Sequence, residues 1–261
     1  MKILVCIKQV PHQDARLDVN AAGTWIQEEN IKFEINPYDQ NALEAALQLK
    51  DKDASNEVVV VSIGPERVTQ SLRTALGMGA DRAVHVKDAA ADGSDSLGTA
   101  KILAAVAKAE NPDLVFAGFM SDDGNLAATG PMLATLLGMP HTTTAVHFEK
   151  NGGIKVEREL EGGALEVVEL QTPCLVTTQT GMNQVRYASL KGIMAAKKKP
   201  IAEKKLADLG VPEADPAQAK TRWRKLELPP ARQAVKLVPA DDPAAAGREL
   251  VRLLREEAKV I

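Results

Sequence analysis

The chain has 261 residues, enough for one large domain or two small ones around a sizeable core, with 45% apolar residues and a formal net charge of −3. That balance gives no global attraction to nucleic acid or anionic membranes. No apolar run reaches the length of a membrane span, and the start MKILVCIK enters strand-like residues without a signal-peptide pattern. Aromatics make up only 3%, so the core must rest on Ala, Val, Leu and Ile, as in layered α/β proteins.

Four apolar runs rich in β-branched residues read as strands: Ile3–Ile7, Val58–Ile63, Ala83–Val86 and Leu114–Ala117. They are continuous rather than alternating, as expected of parallel strands covered on both faces. Helical patterns separate them. Asn36-Pro37 supplies a helix cap with Pro at the first helical position, and Asp39–Lys50 carries Leu43 and Leu47 on one face. Glu66–Met78 places Val68, Leu72, Ala75 and Leu76 on a stripe and stops at Gly77 and Gly79. Ser94 or Ser96 is positioned to cap a helix running to about Glu110, and Thr129–Leu137 forms a fourth before Gly138-Met139-Pro140. The alternation predicts an α/β fold with a doubly wound, mostly parallel, Rossmann-like sheet.

After Pro140 the pattern changes. Val146–Val156 and Leu165–Leu170, with glycine pairs at 152–153 and 162–163, predict an antiparallel hairpin addition. Cys174–Thr178 returns as a buried strand, and 184–205 is a basic stretch. Leu209–Asp242 reads as an extended arm, and Asp242-Pro243 opens a last amphipathic helix. The expected organisation is a nucleotide-binding domain over 1–208, including a segment at 184–199, and a C-terminal arm over 209–261 lying on a partner chain.

Cys6 and Cys174 lie far apart without a CxxC pattern, and Cys6 reads as a small buried hydrophobe. His12, His85, His141 and His147 show no metal-ligand spacing, so no zinc or iron site is expected and the implied compartment is the cytoplasm. Neither a GxGxxG fingerprint nor a P-loop is present. The loop Gly118-Phe119-Met120-Ser121-Asp122-Asp123-Gly124-Asn125, leading through Leu126, Ala127 and Ala128 to Thr129, offers a different device: small residues and a helix N-terminus facing an anion. A plain helix cap with a polar loop is the competing reading. Asn36-Pro37-Tyr38-Asp39 suits a ribose or base edge, or simply a good cap. Ile63-Gly64-Pro65 allows close backbone approach by an adenine. No arrangement for nucleophilic or metal-assisted catalysis is visible, and Glu157, Glu159, Glu161, Glu166 and Glu169 read as a solvated hairpin face.

The run from Val156 through Glu157-Arg158-Glu159-Leu160-Glu161-Gly162-Gly163 to Pro173-Cys174-Leu175-Val176-Thr177 resembles the signature of the electron-transfer flavoprotein β subunit. Val185–Lys199, Asn36-Pro37-Tyr38 and Thr74–Arg82 resemble the same family's pattern, so the likeness covers nearly the whole chain. It implies an electron carrier rather than an enzyme: a heterodimer whose α subunit holds most of the FAD, while the β subunit buries an AMP. By position the AMP contacts would fall on Cys6, Asn36–Asp39, Ile63 and Gly118–Thr129. The loop Val10–Asp14 would lie near the flavin, with Gln13 where some relatives place an aromatic residue. Leu190 would anchor in a pocket on a flavin dehydrogenase, such as an acyl-CoA dehydrogenase of fatty acid oxidation, helped by Tyr187, Lys191, Ile193 and Met194. The alternative is that Leu190 packs into its own domain. Electrons would pass on toward a quinone reductase. Two further alternatives stay open: a bifurcating protein with a second FAD in place of AMP, and a nucleotide-binding regulatory or stress domain without flavin.

Overall fold

Five of the strands were anticipated as buried runs, and the computed structural model, which describes every residue except 213–218, 222, 232, 233 and 240, places them side by side. These are β1 (Lys2–Cys6), β4 (Glu57–Ile63), β5 (Arg82–Val86), β6 (Leu114–Gly118) and β10 (Cys174–Thr178). With β7 (His141–Asn151), β8 (Gly153–Glu159), β9 (Leu165–Leu170) and β11 (Ile201–Lys204) they form a nine-stranded sheet of order β11-β5-β4-β1-β6-β10-β7-β8-β9. Neighbours from β11 to β7 are parallel; β7, β8 and β9 pair antiparallel and form the hairpin addition. A separate two-stranded ribbon joins β2 (Gln9–Pro11) to β3 (Phe33–Ile35).

The continuous apolar character of the central strands follows from two buried faces. Ile3 and Val5 of β1 face a core with α1 (Pro37–Lys52) and α2 (Val68–Met78). Leu4 and Cys6 face the opposite core with α3 (Ser96–Glu110) and α4 (Thr129–Leu137). Side chains alternate across a strand, so a strand covered by helices on both sides needs apolar residues at every position. Cys6 and Cys174 are both buried and unpaired. Burial pushes the Cys174 thiol up to about 11 and the Cys6 thiol higher still, with Asp39 adding to the latter, so both behave as hydrophobes.

Several boundaries differ from expectation. The α3 cap is Asp95, not Ser94 or Ser96; its carboxylate accepts the Gly98 N–H at 2.9 Å. Helix α2 begins at Val68, because Glu66 and Arg67 belong to the turn before it. The hairpin starts at His141 and reverses at Gly152, whose φ of +81° suits glycine. Within the basic stretch lie two unanticipated elements, α5 (Leu190–Ala196), capped by Ser189, and the edge strand β11. Helix α5 buries only Ala196, and its apolar residues Leu190, Ile193 and Met194 are exposed, so no core-facing stripe marks it.

The chain divides into two compact units, 1–225 and 226–261. In the second, α6 (Pro243–Glu256) is capped by Asp242, which accepts the Ala244 N–H, and Arg252 pairs with Glu249 and Glu256. Leu250 and Val251 of α6, and Val235, Leu237, Val260 and Ile261 of the same unit, are exposed. The described residues between 211 and 242 contain no helix or strand. Among the described residues no helix is long and apolar enough to cross a membrane.

Candidate functional site

Successive strands of the sheet run from β1 through β4 to β5 on one side, then cross back to β6 on the other. The switch point therefore lies at the carboxyl ends of β1 and β6, where sheets of this kind leave a crevice for ligands. A cleft of about 970 Å³ opens there. Cys6 at the end of β1 and Ile7 and Lys8 just after it contribute, with Ile63 at the end of β4, Gly64 just after it, and Ala117 and Gly118 from β6.

Asp39 and Asn36, at the start of α1, build this end of the sheet. The buried Asp39 carboxylate accepts the Lys8 N–H at 2.7 Å through Oδ2 and the Gly118 N–H at 2.8 Å through Oδ1, tying the ends of β1 and β6 together. Burial pushes the Asp39 carboxyl up to about 7, opposed by hydrogen bonds from Lys8, Asn36 and Gly118 and by the Lys8 charge. Asn36 stands at the cap position of α1 but makes no side-chain cap bond. Its amide instead donates to the Met120 carbonyl at 2.8 Å and accepts the Asp122 N–H at 3.1 Å. The Asn-Pro-Tyr-Asp run thus serves the neighbouring loop as well as its own helix.

The loop after β6 is strained and tightly held. Asn125 and Ala127 have φ of +50° and +51°, in the left-handed region that non-glycine residues seldom occupy. Ser121 O accepts the Asn125 N–H at 2.8 Å, closing a turn. Lys8 Nζ reaches across to Asp123 Oδ1 at 2.6 Å, so the aspartate charge there is partly balanced. The loop delivers the chain to α4, whose cap residue Ala128 offers no side-chain acceptor. The first N–H groups of α4 consequently lack a side-chain partner and, with the helix dipole, favour an anion. Gly130 in the first turn packs so closely on the sheet that a Cβ there would meet Thr177 Cγ2 at 2.4 Å.

Of the residues singled out in the sequence, Cys6, Asn36, Asp39, Ile63, Gly118, Ser121, Gly124, Leu126, Ala127, Ala128 and Thr129 line the cleft. Pro37, Tyr38, Asp122, Asp123 and Asn125 do not. Tyr38 packs edge-on against Phe119, and burial, then the Asp122 charge, raises its phenol. Gly64, read from the sequence as a point of close backbone approach, lines the cleft too, whereas sequence reasoning missed Lys8, the turn 91–96 with Asp92 and Asp95, Thr99, and the segment holding Ala219, Thr221 and Trp223. Lys8 had a legible signal, since it directly follows a strand aimed at the crevice; residues 219–223 had none. Among the described residues no group of three His, Cys, Asp or Glu is arranged to hold a metal.

A second surface lies on α5. Tyr187 is 97% exposed and Leu190 79%, with Ile193 and Met194 also exposed, so Leu190 does not pack into its own domain. Lys191 is exposed beside them. The segment beneath is firmly fixed. Arg186 forms a bidentate pair with the buried Glu44 at 2.8 and 3.0 Å, and its guanidinium also meets Asp51. Arg73 donates to the carbonyls of Ala196 and Lys199, while Lys199 Nζ donates to those of Leu76 and Ala80.

Fold and cleft together define a doubly wound α/β chain with a ligand crevice at its switch point. A family model described as the electron transfer flavoprotein domain matches residues 24–209, and the chain belongs to that family. It is 43% identical over 235 residues to the electron transfer flavoprotein subunit beta of Methylophilus methylotrophus, covering 88% of this chain and 89% of the relative. The subunit beta of Bradyrhizobium diazoefficiens is 46% identical over 213 residues, 81% and 84% of the two chains. That of Bacillus subtilis is 38% identical over 263 residues, covering all of both.

Proposed function

We propose that the chain is the β subunit of a heterodimeric electron-transfer flavoprotein, an electron carrier rather than an enzyme, which holds AMP in the switch-point cleft. The observation that carries the nucleotide reading is the α4 N-terminus, open and uncapped, reached through the strained loop 118–128 and facing the same cleft as Ile63 and Gly64. The residues fit such a ligand. The first turn of α4, with Ser121 and Thr129 beside it, would receive the phosphate, and the apolar end near Ile63 would receive the base.

In this reading an α subunit holds most of the FAD, which when bound supplies the redox chemistry; this chain supplies position and electrostatics. The exposed Leu190, ringed by Tyr187, Ile193 and Met194, suits a single apolar anchor on a flavin dehydrogenase, such as an acyl-CoA dehydrogenase. Lys191, Lys197 and Lys198, all exposed, would steer an acidic partner and allow it to leave. Electrons would then pass to a quinone reductase, and the carrier would work in the cytoplasm.

A cleft of about 970 Å³ stands near the upper end of the roughly 300–1,000 Å³ usual for small-molecule sites, so a second FAD in place of AMP is the specific alternative. Co-expression with a candidate α chain tests the main reading. A yellow two-chain complex is expected; a colourless homodimer would favour a regulatory nucleotide-binding domain.

A further inference from the structure

Asp95 serves two elements at the rim of the cleft. One carboxylate oxygen caps α3 through the Gly98 N–H at 2.9 Å. The other accepts the backbone N–H groups of Lys220 at 2.7 Å and Thr221 at 3.2 Å, far along the chain. This latch brings Ala219, Lys220, Thr221 and Trp223, described residues outside any helix or strand, against the cleft. Ala219, Thr221 and Trp223, alternate residues of this stretch, all line it. Trp223 is nevertheless 67% exposed, so a large part of its surface has no protein neighbour.

Helices α3 and α4 pack together on one face of the sheet, and each follows a parallel strand, so both N-termini stand at the carboxyl edge beside the cleft. They differ in one respect. The α3 terminus is already capped by Asp95, whereas α4 has no side-chain cap. An anionic group therefore belongs at α4, and a ligand bound there extends toward α3, Gly64 and the latched segment. A tryptophan lining that end with its surface uncovered has the chemistry to stack on a planar heteroaromatic ring.

We propose that Ala219, Lys220, Thr221 and Trp223 form a strap latched by Asp95, and that Trp223 covers the base of the nucleotide in the cleft. The inference rests on the nucleotide reading above and adds a binding residue outside the family-like contact set.

The test is the release rate of radiolabelled AMP from the full-length two-chain complex during a chase with unlabelled AMP. Trp223→Ala should release label roughly tenfold faster, in keeping with the usual worth of one base–aromatic stack, while Trp223→Phe should stay near the wild-type rate. Asp95→Asn should also accelerate release by loosening the latch, with circular dichroism checking that the variant is folded. Wild-type release from Trp223→Ala would overturn the strap and leave the nucleotide reading standing. Equally fast release from Trp223→Phe and Trp223→Ala would overturn stacking. Failure of the wild-type complex to take up AMP would overturn both the strap and AMP as the ligand.

Discussion

Gly118 donates its N–H to Asp39 Oδ1 at 2.8 Å, and a Cβ added to Gly118 would stand 2.2 Å from that same oxygen. It would also come within 2.7 Å of Tyr38 Cβ and 3.0 Å of the Asp39 nitrogen, so backbone as well as side chain must move. Glycine is required here for close approach. Gly118→Ala should cost about 1–3 kcal/mol by overpacking and lower the nucleotide content of the complex. Urea unfolding with chromatography of the released nucleotide checks both, and an unchanged midpoint and content would contradict the clamp.

Asp39 makes stability depend on pH in a definite direction. Its carboxyl is raised from 3.8 to about 7, mainly by burial, so between those values the folded chain keeps a proton that the unfolded chain releases. The stability this contributes is fully present below the unfolded value and is lost as pH rises through about 7. Relative to Asp39→Asn, which has no titrating group, the wild-type chain should weaken by close to tenfold in unfolding constant per pH unit across that window. Paired denaturation curves at pH 5 and pH 8 measure this. A difference that does not change with pH would refute it.

The exposed face of α5 depends on a close contact below it. A Cβ on Gly192 would lie 2.2 Å from the Gly77 carbonyl oxygen, so Gly192→Ala should displace α5 from the end of α2. Leu190→Ala removes the proposed anchor without disturbing that seat. Both should weaken reduction by a flavin dehydrogenase, Leu190→Ala by about 2 kcal/mol or roughly 30-fold in half-saturating complex, with flavin content unchanged. Loss of flavin from Leu190→Ala would show that the residue supports the subunit interface instead.

The parallel sheet was legible because strands buried on both faces must be apolar throughout, as Ile3–Ile7 and Val58–Ile63 are. The loop 118–129 was legible as a candidate because it lies between such a strand and a helix. What escaped depended on contacts distant in sequence. Nothing local marks Asn36 as a partner of Met120 and Asp122, 84 and 86 residues away, or Asp95 as the latch for Lys220. Helix α5 and strand β11 were missed for a different reason. At 7 and 4 residues, with one buried side chain in α5 and none in β11, they owe their conformation to the elements they pack on.

The unit 226–261 exposes Leu237, Leu250 and Val251, which suits an element covered by another chain. Deleting 226–261 should reduce recovery of the two-chain complex on size exclusion while leaving the circular dichroism of unit 1–225 folded. Undiminished recovery would remove this unit from the proposed subunit interface.

The most direct measurement is to denature the purified two-chain complex and identify the nucleotides it releases by chromatography. The account predicts one FAD and one AMP per complex. Two FAD without AMP would keep the cleft but change its occupant and turn the proposal toward bifurcation; a complex that releases no flavin would contradict the electron-carrier reading.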